Sequence, residues 1–245
     1  MSIESPNDLA AMKRVGRVVA DVLETMRRSI RPGLTTGELD AIAAARLKMH
    51  GARSAPRMAY QFPGYTCISV NEEIVHGIPG DRVIAAGDVV KIDVTAELDG
   101  YIADAARTVL VGETTPLARK LRQSAIKALE CALAVARAGE RVAAIGRAVH
   151  AQATRDGFAV TRELAGHGVG RRIHEPPNVL NYDNGSREKL TDGLVIAIEP
   201  MLTAIPARVV EEADGWTIRT HNRALAVHEE HTVVITAGRP LVLTA

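Results

Sequence analysis

Residues 89–108, VVKIDVTAELDGYIADAART, are the stretch with the least conformational freedom. Asp99-Gly100 lies between two strand-like runs, and this dipeptide suits a two-residue turn whose central residues both take positive φ. Such a turn fixes the register. Leu98 pairs with Tyr101, and counting back sets Thr95 opposite Asp104. Side chains alternate along a strand, so Asp93 shares the face of Thr95. Asp93 and Asp104 then become diagonal neighbours, roughly 7–8 Å apart at Cα and within joint reach of one ion. Two bare carboxylates this close repel, and one takes up a proton unless a cation intervenes. A solvent-facing polar hairpin is the alternative for this stretch.

Three later segments repeat the oddity. LVIAIEP ends an apolar strand on Glu199. ALAVHEEHTVVIT sets Glu229 and Glu230 against a strand, with Glu230 on the face of His228 and Thr232. AGHGVGRRIHEPP puts His167 between two glycines, and His174 follows seven residues later. Singly, a Glu at a strand end is usually solvated and a lone His is usually a satisfied core residue. As a set, Asp93, Asp104, His167, Glu199 and Glu230 offer four negative charges and one imidazole, which two divalent cations would balance. Oxygen-rich donors favour Mn, Fe or Co at expanded coordination over a thiolate-style zinc site. Two ions about 3.5–4 Å apart hold a bridging water and lower its pKa. A carboxylate at the rim would take the water's proton, and free histidines would polarise a scissile carbonyl. Spacing alone leaves convergence open. HExxH, P-loop, GxSxG and Rossmann patterns are absent.

The chain around these segments reads as an α+β protein. Residues 7–30 carry Leu9, Met12, Val15, Val19, Val22 and Met26 near helical spacing, and Pro32-Gly33 ends that helix. Thr35 and Glu38 form a capping box for a second helix, which runs to about His50 and closes at Gly51. Loops and short strands follow over residues 52–87. Thr115-Pro116 then opens another helix to about Arg137, Gly139 breaks it, and a further helix runs to Asp156 before Gly157. Gly33 and Gly51 recur as Gly139 and Gly157, both 106 residues on, which predicts a pseudo-duplicated helix-helix-strand unit with joined sheets and helices over one face. The strongest late strands fall at residues 194–198 and 232–236.

With 245 residues and 47% apolar content the chain can bury a large core, and no linker divides it, so residues 1–245 are expected to form a single catalytic domain. A net charge of +1 without a basic block argues against nucleic acid as a partner. The first residues lack the apolar stretch of a signal peptide, and no apolar run approaches the roughly 18 residues of a membrane span. Cys67 and Cys131 form no paired motif, which suits a reducing, cytoplasmic setting.

Five ordered motifs, VNEEIVHGIPG, KIDVTAELDGYIADAART, GHGVGRRIHEPP, AIEPML and EEHTVVIT, resemble those of type I methionine aminopeptidases. The resemblance spans about residues 5–242. It implies the pita-bread α+β fold, with a pseudo-twofold relating duplicated units around a curved antiparallel sheet. It implies two divalent ions (Co, Mn, Fe or Zn), with Asp93 on one, Asp104 and Glu230 bridging both, and His167 and Glu199 on the second. Glu199 is also the implied general base. His76 is placed beside the substrate's N-terminus, and His174 against the peptide group, where it helps stabilise the tetrahedral intermediate. Thr95 resembles the hydroxyl that orients Asp93 or its water. The pocket for the methionine side chain matches Phe62, Cys67, His76, Ile173 and Trp216, a lining that suits a thioether. Ile173 replaces an aromatic residue, and Ala59 stands where many relatives have Tyr, so the pocket is expected to be wider.

Only 24 residues separate His174 and Glu199, too few for the helical insertion of the type II enzymes. The implied activity is removal of the initiator methionine from nascent chains when the second residue is small. A cytoplasmic monomer with transient ribosome association, no membrane contact and no direct nucleic-acid binding is expected. Two competitors remain at this point: an Xaa-Pro peptidase, whose members usually carry a large N-terminal domain, and a metal-free binding module, which would lack ligands that are all present here.

Overall fold

The computed structural model describes residues 1–245. Its first half runs through helices α1 (Pro6–Ser29) and α2 (Thr36–Met49), strand β1 (Arg53–Ser54) and helix α3 (Ala55–Tyr60). Strands β2 (Cys67–Val70), β3 (Glu73–Val75), β4 (Val89–Leu98) and β5 (Tyr101–Leu110) complete that half. The second half opens with helices α4 (Pro116–Val135) and α5 (Val142–Arg155), then strands β6 (Ala159–Val160), β7 (Ala165–Gly168), β8 (Glu175–Leu180) and β9 (Val195–Ile198). It ends with β10 (Met201–Thr203), β11 (Val209–Glu211), β12 (Ile218–Thr220), β13 (Ala226–His228), β14 (His231–Val234) and β15 (Leu241–Val242). No helix is long and apolar enough to cross a membrane.

Local chemistry sets the helix ends. The Ser5 hydroxyl accepts from Asp8 N ahead of Pro6, and α1 buries Met12, Val15, Val19, Val22 and Met26 along one stripe. Thr35 Oγ1 accepts from Glu38 N at 3.1 Å while the Glu38 carboxylate accepts from Thr35 N at 2.8 Å, the expected capping box. Thr115 Oγ1 caps α4 one way only, accepting from Ala118 N at 3.1 Å. Helix α3 departs from the expected loop. It has six residues, too few to display a period, and begins with Pro at its first turn.

The duplication is real and reaches the hydrogen bonds. Gly33 and Gly139 both sit at φ 89°, and Gly51 and Gly157 at 67° and 82°. Gly33 N donates to Ile84 O and Gly139 N to Leu190 O, each at 2.9 Å. Thr36 N to Arg82 O and Val142 N to Glu188 O repeat the match, also at 2.9 Å. Each partner is displaced by 106 residues, and the same offset carries Asp93 onto Glu199.

The β4–β5 hairpin has the expected register, Leu98 opposite Tyr101 and Thr95 opposite Asp104, with Asp99 and Gly100 at φ 54° and 80°. The sheets are antiparallel but more divided than a single curved surface. One ladder is β1-β4-β2 with β5 on β4, a second is β15-β14-β9-β7-β8, and β13-β10-β6 and β11-β12-β3 form two short ones. Where β5 meets β13 and β14, side-chain hydroxyls take over from a regular ladder. Thr232 Oγ1 accepts from Asp104 N at 2.9 Å and donates to Asp104 O at 2.7 Å. Thr108 Oγ1 donates to His228 O at 2.7 Å and accepts from His228 N at 3.0 Å. Helices α1 and α2 bury their apolar stripes with β4 and β5 in one core, and α4 and α5 do so with β9 and β14 in another.

Helix α5 lies so close to β8 that a Cβ on Gly146 would come within 2.4 Å of Leu180 O and Tyr182 O. Gly146→Ala should therefore lower unfolding stability by about 1–3 kcal/mol, read from the urea midpoint. An unchanged midpoint would mean that α5 can move outward without cost.

Candidate metal centre and active site

Asp93, Asp104, His167, Glu199 and Glu230 all line one cavity of about 420 Å³. His76, His174 and Thr95 line it too, as do the apolar-pocket candidates Phe62, Cys67, Ile173 and Trp216. The strand hairpin delivers the two aspartates. Glu199 sits at the corner between β9 and β10, before Pro200, and Glu230 at the corner between β13 and β14, where its N–H bonds Ala106 O at 3.0 Å. These are the points where the chain leaves one ladder for another, so the carboxylates project into the space between sheets. The neighbouring Glu229 points the other way. Its Oε1 accepts from Thr108 N at 3.2 Å and lies 3.7 Å from Arg122 Nε. Burial pushes Glu229 up to about 7, against the pull of Arg107 and Arg122.

His167 has one defined donor. Its Nδ1 is 2.9 Å from Gly168 O, which can only accept, so Nδ1 carries a proton and Nε2 faces Glu199 Oε1 at 3.5 Å. The Thr95 hydroxyl, expected to steady Asp93, donates instead to Asp104 Oδ1 at 2.8 Å. The reason is register: Asp104 is directly opposite Thr95, nearer than the next same-face residue on its own strand.

The charge balance of the floor calls for cations. Donor atoms of Asp104, His167 and Glu230 all lie within 4.8 Å of one another, and so do those of Asp93, His228 and Glu230. Burial, then the Asp104 and Glu199 charges, hold the Asp93 carboxyl well above the usual carboxylate range. Burial and the surrounding carboxylates do the same to Glu230. Glu199 is raised to about 8 by burial, with His167 opposing the shift and Asp104 adding to it. Asp93 Oδ1 and Glu230 Oε1 are buried without a hydrogen-bond partner. Orphaned oxygens beside a donor set of carboxylates and imidazole fit divalent ions, and two donor clusters sharing Glu230 fit a pair.

His76 and His174 lie at the cavity wall. His76 takes φ 58°, a strained conformation for a residue with a side chain, and the following Gly77 explains its persistence. A Cβ on Gly77 would come within 2.3 Å of Ile68 O, so the turn is clamped against β2. Burial lowers the pKa of His76, with His228 and His167 adding to the effect. His174 falls to about 4, mainly through burial, so both rings are neutral near pH 7. Tyr60 Oη is 2.8 Å from His174 Nδ1, and the two rings stack with centroids 5.7 Å apart. This corrects the expectation at Ala59. Tyr60, one residue on, faces the cavity, whereas Ala59 is exposed and does not line it. Phe62 meets Trp216 edge-on, centroids 5.1 Å apart, and Ile173 and Cys67 are buried. Burial also keeps the Cys67 thiol protonated. His228 joins the floor without having been assigned a role. Strand alternation had put it on the face of Glu230, which is the signal that could have found it.

A model of the metallopeptidase M24 family matches residues 10–237. The chain belongs to this family. Methionine aminopeptidase 2 of Bacillus subtilis is 42% identical over 247 residues, spanning 100% of this chain and 99% of that protein. The crystal structure of methionine aminopeptidase from Thermotoga maritima has a TM-score of 0.96 at 36% identity, over 100% of this chain and 99% of that one. Prolidase from Pyrococcus furiosus shares the fold, with a TM-score of 0.80 and 24% identity, but this chain covers 65% of it. The pita-bread fold expected from the motifs is thus borne out, and within M24 the chain groups with the methionine aminopeptidases. As a member of a metallopeptidase family it uses divalent metal.

The raised carboxyls have a measurable consequence in this M24 chain. The stability that protonated Glu199 contributes to the metal-free protein is complete below its ordinary value of 4.5 and is lost as pH rises through about 8. Ion uptake must displace those protons. Affinity for Mn(II) or Co(II) should therefore rise from pH 6.5 to 8, with proton release seen by calorimetry in buffers of different ionisation enthalpy. Uptake at pH 6.5 without proton release would contradict the buried, protonated floor.

Proposed function

We propose that the chain is a dinuclear aminopeptidase that removes the initiator methionine from nascent proteins whose second residue is small. The observation carrying this reading is the arrival of Asp93, Asp104, His167, Glu199 and Glu230 in one cavity, with Glu230 common to two donor clusters. In this reading Asp93 would hold one ion, His167 and Glu199 would hold the second, and Asp104 and Glu230 would be shared between them. Bound divalent ions supply Lewis acidity, polarising a carbonyl and making water nucleophilic at neutral pH.

The protein's own groups do the rest. The Glu199 carboxylate would accept a proton from water and return one to the leaving amine. His76, fixed by its clamped turn, donates an N–H hydrogen bond beside the substrate's N-terminus. His174, steadied by Tyr60, bonds the peptide oxygen as charge builds there. Phe62, Cys67, Ile173 and Trp216 take the methionine side chain, whose thioether packs well on aromatic edges. A bulky second residue would crowd the carboxylate floor. The working setting is a cytoplasmic monomer, residues 1–245 forming one catalytic unit, with transient ribosome contact and Co, Mn, Fe or Zn as the ion.

Turnover of Met-Ala-Ser should be abolished in Glu199→Ala, which removes a metal ligand as well as the general base (itself worth about 10²–10⁴), and in His167→Ala. Ala-Pro peptides should remain uncut by the unaltered protein. Full activity in either variant would refute the assignment, and preferential cleavage of Ala-Pro would transfer the chain to the Xaa-Pro peptidases.

A further inference from the structure

We propose that His228 is a sixth protein ligand of the metal pair, giving the ion on the Asp93 side an imidazole of its own. The inference rests on the dinuclear reading above and deepens it.

Five buried side-chain polar atoms have no hydrogen-bond partner: Ser54 Oγ, Ser124 Oγ, Asp93 Oδ1, Glu230 Oε1 and His228 Nε2. The last three belong to the residues of one cluster whose donor atoms all fall within 4.8 Å of one another. Buried polar atoms are nearly always satisfied, so an orphaned atom on each of the three residues of one cluster marks a place built for something else. His228 Nε2 lies 3.5 Å from Glu199 Oε2 and 3.6 Å from Glu230 Oε2, beyond a good hydrogen bond. The His228–Glu230 separation is close to the spacing of two ligands around a common ion. Two donors about 2.1 Å from one cation, at tetrahedral to octahedral angles, are about 3.0–3.5 Å apart.

The backbone that carries the ring is fixed. His228 is 2% exposed. It ends β13 opposite Met201, and its backbone N and O are both bonded by the Thr108 hydroxyl, at 3.0 and 2.7 Å. The other donor cluster contains His167, so with His228 the two clusters are alike, each with one imidazole, one aspartate and Glu230. Nitrogen donors favour later first-row ions. His228 therefore biases the Asp93 side toward Co, Ni or Zn over Mn.

The test uses the full chain, stripped with chelator under anaerobic conditions and reloaded with Co(II) alone, alongside His228→Gln and His228→Ala. Thermal melts of the stripped proteins identify which variants are folded. X-ray absorption of the unaltered dicobalt protein should show imidazole scattering equal to one ring per cobalt, falling by half in His228→Gln. Calorimetry should show one Co(II) weakened at least about tenfold, with a smaller change for Mn(II). Unchanged imidazole scattering and unchanged Co(II) affinity in a folded His228 variant would overturn the proposal while leaving the dinuclear reading intact. Failure of the unaltered protein to bind two Co(II) would overturn both.

Discussion

Like charges cannot be packed together in a protein interior without a compensating partner, and the cavity floor packs four carboxylates. The energetic demand this makes is the constraint from which the remaining architecture follows. Each carboxyl that burial and its neighbours drive above its ordinary range must hold a proton or face a cation. The surrounding backbone offers little relief, since Asp93 Oδ1 and Glu230 Oε1 receive no hydrogen bond. A stable monomeric fold with no need for metal would solvate these groups or replace them with apolar ones. Their retention in a well-packed interior is what gives the site its chemical meaning.

The scaffold answers that demand by repetition. A helix pair and a strand set recur 106 residues apart, down to individual backbone hydrogen bonds, and the offset relates Asp93 to Glu199. Duplication thus supplies matching acidic positions on opposite walls. The exactness stops at the seam. There β5 meets β13 and β14 through Thr108 and Thr232 hydroxyls, and the chain turns corners at Glu199 and Glu230 instead of continuing its ladders. Corners free side chains from strand alternation, which is why adjacent Glu229 and Glu230 reach opposite environments, an arginine pair and the cavity floor.

Much of this was legible in the amino-acid sequence because it is encoded locally. Asp99-Gly100 determines a turn, the turn determines register, and register alone places Asp93 near Asp104. Ser, Thr and Pro caps, followed by glycines at positive φ, mark the long helices. What was missed depends on tertiary structure. Helix α3 is too short to carry a period, and the division into four ladders depends on how the halves meet. Thr95 was assigned to the wrong aspartate because a same-strand neighbour was preferred to the one directly across. Tyr60 was overlooked for Ala59 because one residue of helix rotation decides which side chain faces inward. His228 was placed on the right face, but alternation cannot say that its nitrogen would go unpartnered.

The two aspartates come from the first repeat, while His167, Glu199 and Glu230 come from the second. An ion shared between these sets is consequently a cross-link between the halves, added to the β3–β12 ladder and the Thr108 and Thr232 hydroxyl bonds that already join them. Loading would then rivet the two repeats together as well as arm the site, and relative motion of the halves would be slow so long as the ions stay. Metal exchange would require that rivet to open, which ties the lifetime of the active form to the breathing of the whole molecule.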